Sequence, residues 1–554
     1  MATTKTPVKR GEGQWALGYR EPLNKAERAK RDDDGLNVLD RIINIYSKQG
    51  FRSIWPDDLR SRMRWWGLYT QRRQGVPGGR TGMVEPHELE DEFFMLRVRI
   101  AGGLMTSDQL RKIAWISERF GRDVADITDR QNVQLHWIRI EDVPRIFEAL
   151  EEVGLTSCEA CGDTPRNMIG CPLAGVDKEE IVDPTEVLLA LHKRFVGDPA
   201  FSNLPRKFKT SISGCPQQCA QHEINDISFV GTRNAAGRPG YDLWVGGGLG
   251  PNPKFGQRLG VFVEPEEVGD VWHAVASVFR DYGYRRARNH ARVKFLMADW
   301  GPERYREVME REYLGRSLPD GPPPPPSTTA QRDHLGVREQ QDGRVYVGFA
   351  PRAGRIFGHQ LRHVAELADE YGSGRIRATT QQKLVIVDVD PARAPGLTSA
   401  LEEHDLRVNA SPFRRGTMAC TGIEFCKLAI VETKQRADWL YRELEERLPE
   451  FTEPIRININ GCPNSCARFQ IADIGLMGSL VTKSDGTKID AFQVHLGGHL
   501  GYDHKVGRKV KGIKVPAFEL ADYVERLLRK YLATRSGAEP FHEWAFRAEE
   551  SWLK

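Results

Sequence analysis

The stretch Ser213-Gly-Cys-Pro-Gln-Gln-Cys-Ala-Gln-His-Glu-Ile-Asn-Asp-Ile-Ser228 returns as Asn460-Gly-Cys-Pro-Asn-Ser-Cys-Ala-Arg-Phe-Gln-Ile-Ala-Asp-Ile-Gly475. Gly, Cys, Pro, Cys, Ala, Ile, Asp and Ile coincide in order. Downstream, WVGGGLG (244–250) matches HLGGHLG (495–501). Upstream, FFMLRVRI (93–100) and VQLHWIRI (133–140) alternate as strands, and QLRKIAWISERFG (109–121) and VPRIFEALEEVG (143–154) have helical periodicity. This is a βαβα unit of the ferredoxin-like kind. It recurs through 344–354, 359–372, 381–389 and 399–406. Gln109-Leu-Arg matches Gln360-Leu-Arg, Thr128 matches Thr379, and Ala149-Leu-Glu-Glu matches Ala400-Leu-Glu-Glu, all 251 positions apart. So long a period marks a duplicated half-protein, not a solenoid. The polyproline spacer Leu318-Pro-Asp-Gly-Pro-Pro-Pro-Pro-Pro326 separates the copies. The fold class is α/β (α+β), with two internally duplicated halves related by a pseudo-twofold axis.

At 554 residues the chain exceeds one core. Its net charge of +4 is too mild to point to nucleic acid. The N-terminal MATTKTPVKRGEGQW lacks the apolar run of a signal peptide, and no segment has the length of a membrane span. A cytoplasmic protein is expected, in which clustered cysteines point to metal or catalysis instead of disulfides. The aromatic knot Arg62–Tyr69 is expected to pack an N-terminal arm over the core.

Four of the nine cysteines fall in two tight pairs, Cys420-x5-Cys426 and Cys462-x3-Cys466. Such pairs suit a soft metal centre, zinc or an iron–sulfur cluster; the x5 and x3 spacings weigh against zinc and favour a four-iron cubane. In the repeat Cys171, Cys215 and Cys219 correspond to Cys426, Cys462 and Cys466, while Cys420 falls opposite Pro165. Only the second half keeps the full quartet. Cys158, Cys161, Cys171, Cys215 and Cys219 are either buried free thiols or a second centre with Cys161 as substitute ligand.

GCPNSC followed by Asp473-Ile-Gly-Leu476, with the duplication, the linker, Thr128-Asp-Arg-Gln-Asn132 and Lys207-Phe-Lys209, resembles the sirohaem- and 4Fe–4S-containing nitrite and sulfite reductases over nearly the whole chain. Ferredoxin-dependent sulfite reductases are the most similar branch. The resemblance implies that Cys420, Cys426, Cys462 and Cys466 bind the cubane and that the Cys466 sulfur is also the axial ligand of the sirohaem iron. It implies these domains: an arm (1–90), a ferredoxin-like half-domain (91–156), a sirohaem/substrate α/β domain (157–317), the linker (318–340), a second ferredoxin-like half-domain (341–407) and a 4Fe–4S/sirohaem α/β domain (408–554).

An oxyanion substrate and a macrocycle bearing eight carboxylates both need cations. Arg97 lies within a strand where charge has no packing reason, and Arg130 follows Thr128-Asp129. Lys207 and Lys209 alternate around Phe208, so both point from one face of an extended segment. The repeat puts Gly348 opposite Arg97 and Gln381 opposite Arg130, so the second half lacks both charges. The resemblance assigns Arg97, Arg130, Lys207 and Lys209 to substrate binding and proton delivery. Lys-x-Lys at 207–209 favours sulfite, with nitrite to ammonia as the alternative.

Gln131, Asn132, Gln381, Gln382 and Lys383 are candidate sirohaem contacts, and the Gly246–Gly248 and Gly497-Gly498 loops candidate close approaches to the macrocycle. Arg285–Arg288, Arg292 and Lys294 are either further carboxylate partners or a solvated face. A redox-active haem could also couple Cys161 to Tyr69. With no dinucleotide or flavin motif, reduced ferredoxin is the expected donor, to a monomeric enzyme of assimilatory sulfur metabolism and cysteine biosynthesis. A zinc-stabilised binding protein is the reading from a different class.

Overall fold

In the computed structural model, which describes residues 23–327, 333–501 and 503–554, the first ferredoxin-like unit is built on the strands Glu90–Val98 and Val133–Ile138. The helix Ser107–Phe120 packs on them through Leu110, Ile113, Ala114 and Ile116. The Gln109-Leu-Arg and Gln360-Leu-Arg match has a physical cause. Gln109 Oε1 accepts from Thr106 N at 3.1 Å, closing a capping box, and its Nε2 donates to Val153 O at 3.0 Å. Gln360 repeats both bonds, with Phe357 N at 3.1 Å and His404 O at 2.8 Å.

The N-terminal arm does more than cover the core. Its strand Leu68–Arg72 pairs antiparallel with Glu90–Val98 and forms the edge of the first sheet, so the boundary expected at 90/91 cuts through a sheet. Gly336–Glu339, inside the expected linker, does the same for the second sheet against Val345–Phe349. Trp65 and Trp66 do anchor the arm, donating to Ser202 O at 2.8 Å and Leu36 O at 3.0 Å. The N-terminal fifteen residues lie outside the described residues, as does part of the linker.

Each sheet is completed by the other half. Arg355–Phe357 pairs with Val124–Ile127 in the first sheet, and Leu104–Thr106 with Arg375–Ala378 in the second. The two units therefore share one core, in which Leu96, Ile127 and Leu135 join Val347, Ile376 and Ile386.

The other two domains are mixed sheets. In the first, Ile169–Gly170, Thr210–Ser213 and Ile227–Arg233 run parallel, with Thr185–Phe195 as the crossover helix; Pro239–Val245 and Gln257–Val263 follow antiparallel. The second repeats this with Thr417–Ala419, Ile457–Asn460 and Ile474–Thr482, the helix Lys434–Arg447, and the antiparallel Lys488–Leu496. The pseudo-twofold axis passes where equivalent residues meet. Gln221 and Arg468, both left-handed, hydrogen-bond to each other. Gln470 exchanges two bonds with Gly250 (3.0 and 2.8 Å), and its counterpart Glu223 accepts from Gly501 N at 2.9 Å. No helix among the described residues is long and apolar enough to cross a membrane.

Candidate redox and oxyanion site

All four quartet cysteines sit beyond the carboxyl ends of parallel strands, where α/β sheets place ligands. Cys420 follows Thr417–Ala419 and heads the loop to Cys426; Cys462 and Cys466 follow Ile457–Asn460. Asn460 Oδ1 accepts from Ala467 N at 2.8 Å, repeating the role of Ser213 towards Ala220 (3.3 Å). Gly461 N donates to Cys420 Sγ at 3.2 Å. Burial and the facing sulfur of Cys466 push the Cys420 thiol up to about 12, and Cys426 and Cys462 move in the same direction for the same reasons. Sulfurs turned on one another can ionise together only with positive charge between them.

A single zinc ion does not fit that space. With Zn–S near 2.3 Å, tetrahedral zinc draws its thiolates to about 4 Å of one another. No three of these four sulfurs lie within 4.8 Å of one another. Mutually facing but spread, they fit a larger inorganic core such as a cubane, and the zinc-stabilised reading loses its basis at this quartet. Cys466 is exposed, so one sulfur of the set also faces outward.

Beside Cys466 a pocket is lined by Asn464 and Ser465 of the cysteine loop together with Arg130, Lys207, Lys209 and Arg468. Arg130 is positioned by Asn225 Oδ1 at 2.9 Å and by the carbonyls of Asn167 and Thr210. Burial lowers it to about 9. Lys209 is lowered to about 7 by burial and by the neighbouring Arg130 and Arg292, and Lys207 falls well below its ordinary value through burial and Lys209. Among the described residues neither lysine has a carboxylate ion-pair partner. Arg97 Nη1 donates to Cys161 Sγ at 3.2 Å; Cys161, Tyr69, Asp129 and Cys466 hold its charge on against burial. Arg97 Nε and Arg130 Nε are buried with no hydrogen-bond partner. Lysines without a carboxylate partner and orphaned guanidinium donors beside an outward sulfur fit an anionic macrocycle and a small oxyanion.

Several expectations change here. Gln131 uses its whole amide on protein: Nε2 donates to Gly170 O (3.1 Å) and Ala378 O (2.8 Å), and Oε1 accepts from Gly170 N (3.0 Å). Gln382 does the same with Ala419. Asn132 Oδ1 accepts from Ile100 N at 3.3 Å, and Lys383 Nζ donates to Thr417 O at 3.2 Å. Gln381 lies in the turn held by Thr379 Oγ1, as Arg130 lies in the one held by Thr128. The glycine loops answer to their own backbone. A Cβ on Gly247 would stand 2.4 Å from Glu223 O, and one on Gly498 2.3 Å from Gln470 O. Arg285 and Arg288 pair with Glu27 (3.1 Å) and Asp163 (2.8 Å), Arg292 with Asp226 (2.7 Å), and Lys294 donates to loop carbonyls. Of these, Arg292 also lines the pocket. Cys161 bonds to Arg97, and the cluster of Cys171, Cys215 and Asp177 does not include it, so it is no substitute ligand there.

Sequence reading missed Arg468, because its repeat partner is the neutral Gln221 and its role appears only across the axis. There it pairs with Asp129 at 3.0 Å. Arg166, whose charge bears on Arg130, Lys207 and Tyr69, had no motif to mark it.

Fold and site together define a duplicated iron–sulfur redox protein with a cationic anion pocket. The chain belongs to the nitrite and sulphite reductase family. The family's 4Fe–4S domain matches residues 161–318 and 410–550, and its ferredoxin-like half domain matches 87–153 and 338–404. A sulfite reductase (ferredoxin) of Mycobacterium tuberculosis is 52% identical over 557 residues, with 100% of each chain covered. The solved structure of the Mycobacterium tuberculosis NirA protein superposes with a TM-score of 0.96 at 52% identity, covering 98% of this chain and 100% of that one. An assimilatory ferredoxin-dependent nitrite reductase of Haloferax mediterranei is 36% identical, covering 94% of this chain and 91% of its own. Sirohaem and a 4Fe–4S cluster are the cofactors of this enzyme class.

Proposed function

We propose that this chain reduces sulfite to sulfide with six electrons taken singly from reduced ferredoxin. The observation that carries the reading is the gathering of Arg130, Lys207 and Lys209 in one pocket against the Cys462–Cys466 loop, with Arg97 close behind. Cys420, Cys426, Cys462 and Cys466 would hold the cluster, with Cys466 turned to the sirohaem. When bound, these groups supply the electron store and the iron at which the oxyanion is reduced. The protein's own part is to bind, orient and protonate. Arg97 and Arg130 offer fixed forks to oxygen atoms, with Arg130 locked by three partners. Lys207 and Lys209, lowered by burial, give up protons more readily than exposed lysines do, as reduction of a sulfur–oxygen bond to water requires. We place the enzyme in the cytoplasm, as a monomer, within sulfur assimilation.

The test is kcat/KM on sulfite and on nitrite with reduced ferredoxin. A larger value for sulfite is expected. A larger value for nitrite would transfer the enzyme to nitrite reduction, the reading favoured by the 36% identical relatives.

Burial and then the Cys161 thiol raise the Tyr69 phenol, so the two side chains bear on one another, and Arg97 Nη1 donates to Cys161 Sγ at 3.2 Å. We infer that they join as a thioether between Sγ and the ring carbon beside the hydroxyl. The step removes two electrons and two protons, taken up by dioxygen as peroxide. Peptide mass mapping should recover the two residues in one linked fragment, two hydrogens light; separate fragments would remove the link.

A further inference from the structure

The pocket that gathers Arg130, Lys207 and Lys209 also holds a carboxylate, Asp129, the only acidic side chain among the described residues that line it. A negative charge there repels an oxyanion unless something offsets it. Arg468 does so. Its Nε donates to Asp129 Oδ2 at 3.0 Å, and its other two nitrogens donate to the Asp129 carbonyl and to Gln221 Oε1. Against the opposing pull of burial, Arg468, Lys209 and Arg130 hold the Asp129 carboxyl below its ordinary value. The Arg468 backbone is tied as well. Its N–H donates to Ser465 O at 3.2 Å, closing the turn that spans Cys466, and its carbonyl accepts from Asn458 Nδ2 at 3.2 Å. The ion pair thus joins the Cys466 turn to the turn that presents Arg130, the residue after Asp129.

The other half shows what the pair replaces. Gln221 N donates to Gln218 O at 3.0 Å, and Gln218 and Gln221 are left-handed as Ser465 and Arg468 are, so the turn around Cys219 has the same shape. Its clamp differs. Thr380, at the position equivalent to Asp129, donates its hydroxyl to Cys219 O at 3.1 Å and grips the turn at the cysteine itself. An ionised carboxylate has no proton to give a carbonyl, so Asp129 cannot repeat that bond. The hold moves two residues along, to Arg468. Cys219 is buried, and Cys466 is exposed.

We propose that Asp129 and Arg468 are positioning residues that hold the Cys466 loop against the oxyanion pocket. The pair fixes the outward sulfur relative to the Arg130 guanidinium and cancels the one negative charge beside the substrate. Its part in turnover rests on the reductase activity proposed above; its part in holding the loop does not.

The two effects separate in the kinetics of the holoenzyme. Asp129→Asn removes the negative charge and loosens the loop, so KM for sulfite should fall or stay unchanged while kcat drops about tenfold. Arg468→Gln strands the carboxylate, so KM should rise about tenfold, with kcat lowered too. Arg468→Lys keeps the charge without the fork and should return KM to the wild-type value with kcat still reduced. All three should keep full iron and shift the long-wavelength sirohaem band of the resting enzyme, a readout that needs no turnover. KM moving the same way in Asp129→Asn and Arg468→Gln overturns the proposal, as does a band unmoved in both. Iron lost in step with activity would mark a merely structural ion pair and also overturn it. Should Arg468→Gln fail to fold, Asp129→Asn, equal in size to the native residue, decides: a raised KM or an unmoved band refutes the pair. Should the wild type prefer nitrite, the sulfite reading falls, and the same KM signs measured on nitrite decide the pair.

Discussion

Lys209 shows what burial does to a binding cation. Its backbone N–H is fixed to Asp226 Oδ2 at 2.8 Å, and its side chain lines the pocket. There, burial, Arg130 and Arg292 bring its ammonium to about 7. The depressed value means that the free enzyme loses this charge as pH rises through about 7, although an exposed lysine would keep it for three more units. A bound oxyanion reverses the trend by favouring the charged form. kcat/KM for sulfite should therefore fall with rising pH from about 7, with a one-proton slope. Sulfite itself titrates in this region, so the variant Lys209→Arg separates the two. Charged throughout, it should lose the limb that belongs to the lysine and keep the limb that belongs to the substrate. Lys209→Asn should shift the sulfite-to-nitrite ratio of kcat/KM towards nitrite by about tenfold, the worth of one charge-assisted contact. Identical pH profiles in wild type and Lys209→Arg would sink the assignment.

At the scale of elements, the cluster loop owes its shape to the ferredoxin-like unit below it. Arg72, 1% exposed, ends the edge strand; its backbone N–H donates to Phe425 O at 2.9 Å, and its guanidinium bonds to the carbonyls of Lys427 (3.4 Å) and Ala429 (3.3 Å). Phe425, just before Cys426, stacks on His136 at 3.9 Å and 13°. His136 and Arg355 in turn share Asp126, at 2.9 and 2.7 Å. Little of this was legible, since each contact joins residues from distant stretches and no local pattern marks Arg72 or Phe425. What was legible has local causes. Gln109 and Gln360 match because both cap a helix, and Thr128 and Thr379 because both hold a turn whose next-but-two residue is left-handed. Arg97 stood out as a charge inside an alternating strand. The three-residue strands Leu104–Thr106 and Arg355–Phe357 were not visible, because their partners lie in the other half and so short a run has no period to read. The glycine loops are visible, but a bare Gly run says that something comes close, not whether it is a ligand or the chain itself.

At the scale of the molecule, duplication has been turned into dependence. A sheet edge left open invites non-native pairing, and each ferredoxin-like sheet covers one flank with a strand from the opposite half. Beneath them the shared core draws buried side chains from both copies, so neither half can bury its own apolar face alone. The linker is then a tether: it brings the halves together but does not hold them there. This predicts an asymmetry between cutting and separating. A protease site introduced between Ser327 and Asp333 and cleaved in the folded enzyme should leave the two pieces eluting together, with the visible spectrum and sulfite activity intact. The same pieces produced in separate cells should aggregate, each exposing an unpaired edge and half a core. Produced in one cell, they should assemble as a one-to-one complex and recover the chromophore. A half that elutes alone as a folded monomer, with native-like near-ultraviolet circular dichroism, would show that the exchanged strands are decoration and that each copy retains an independent fold.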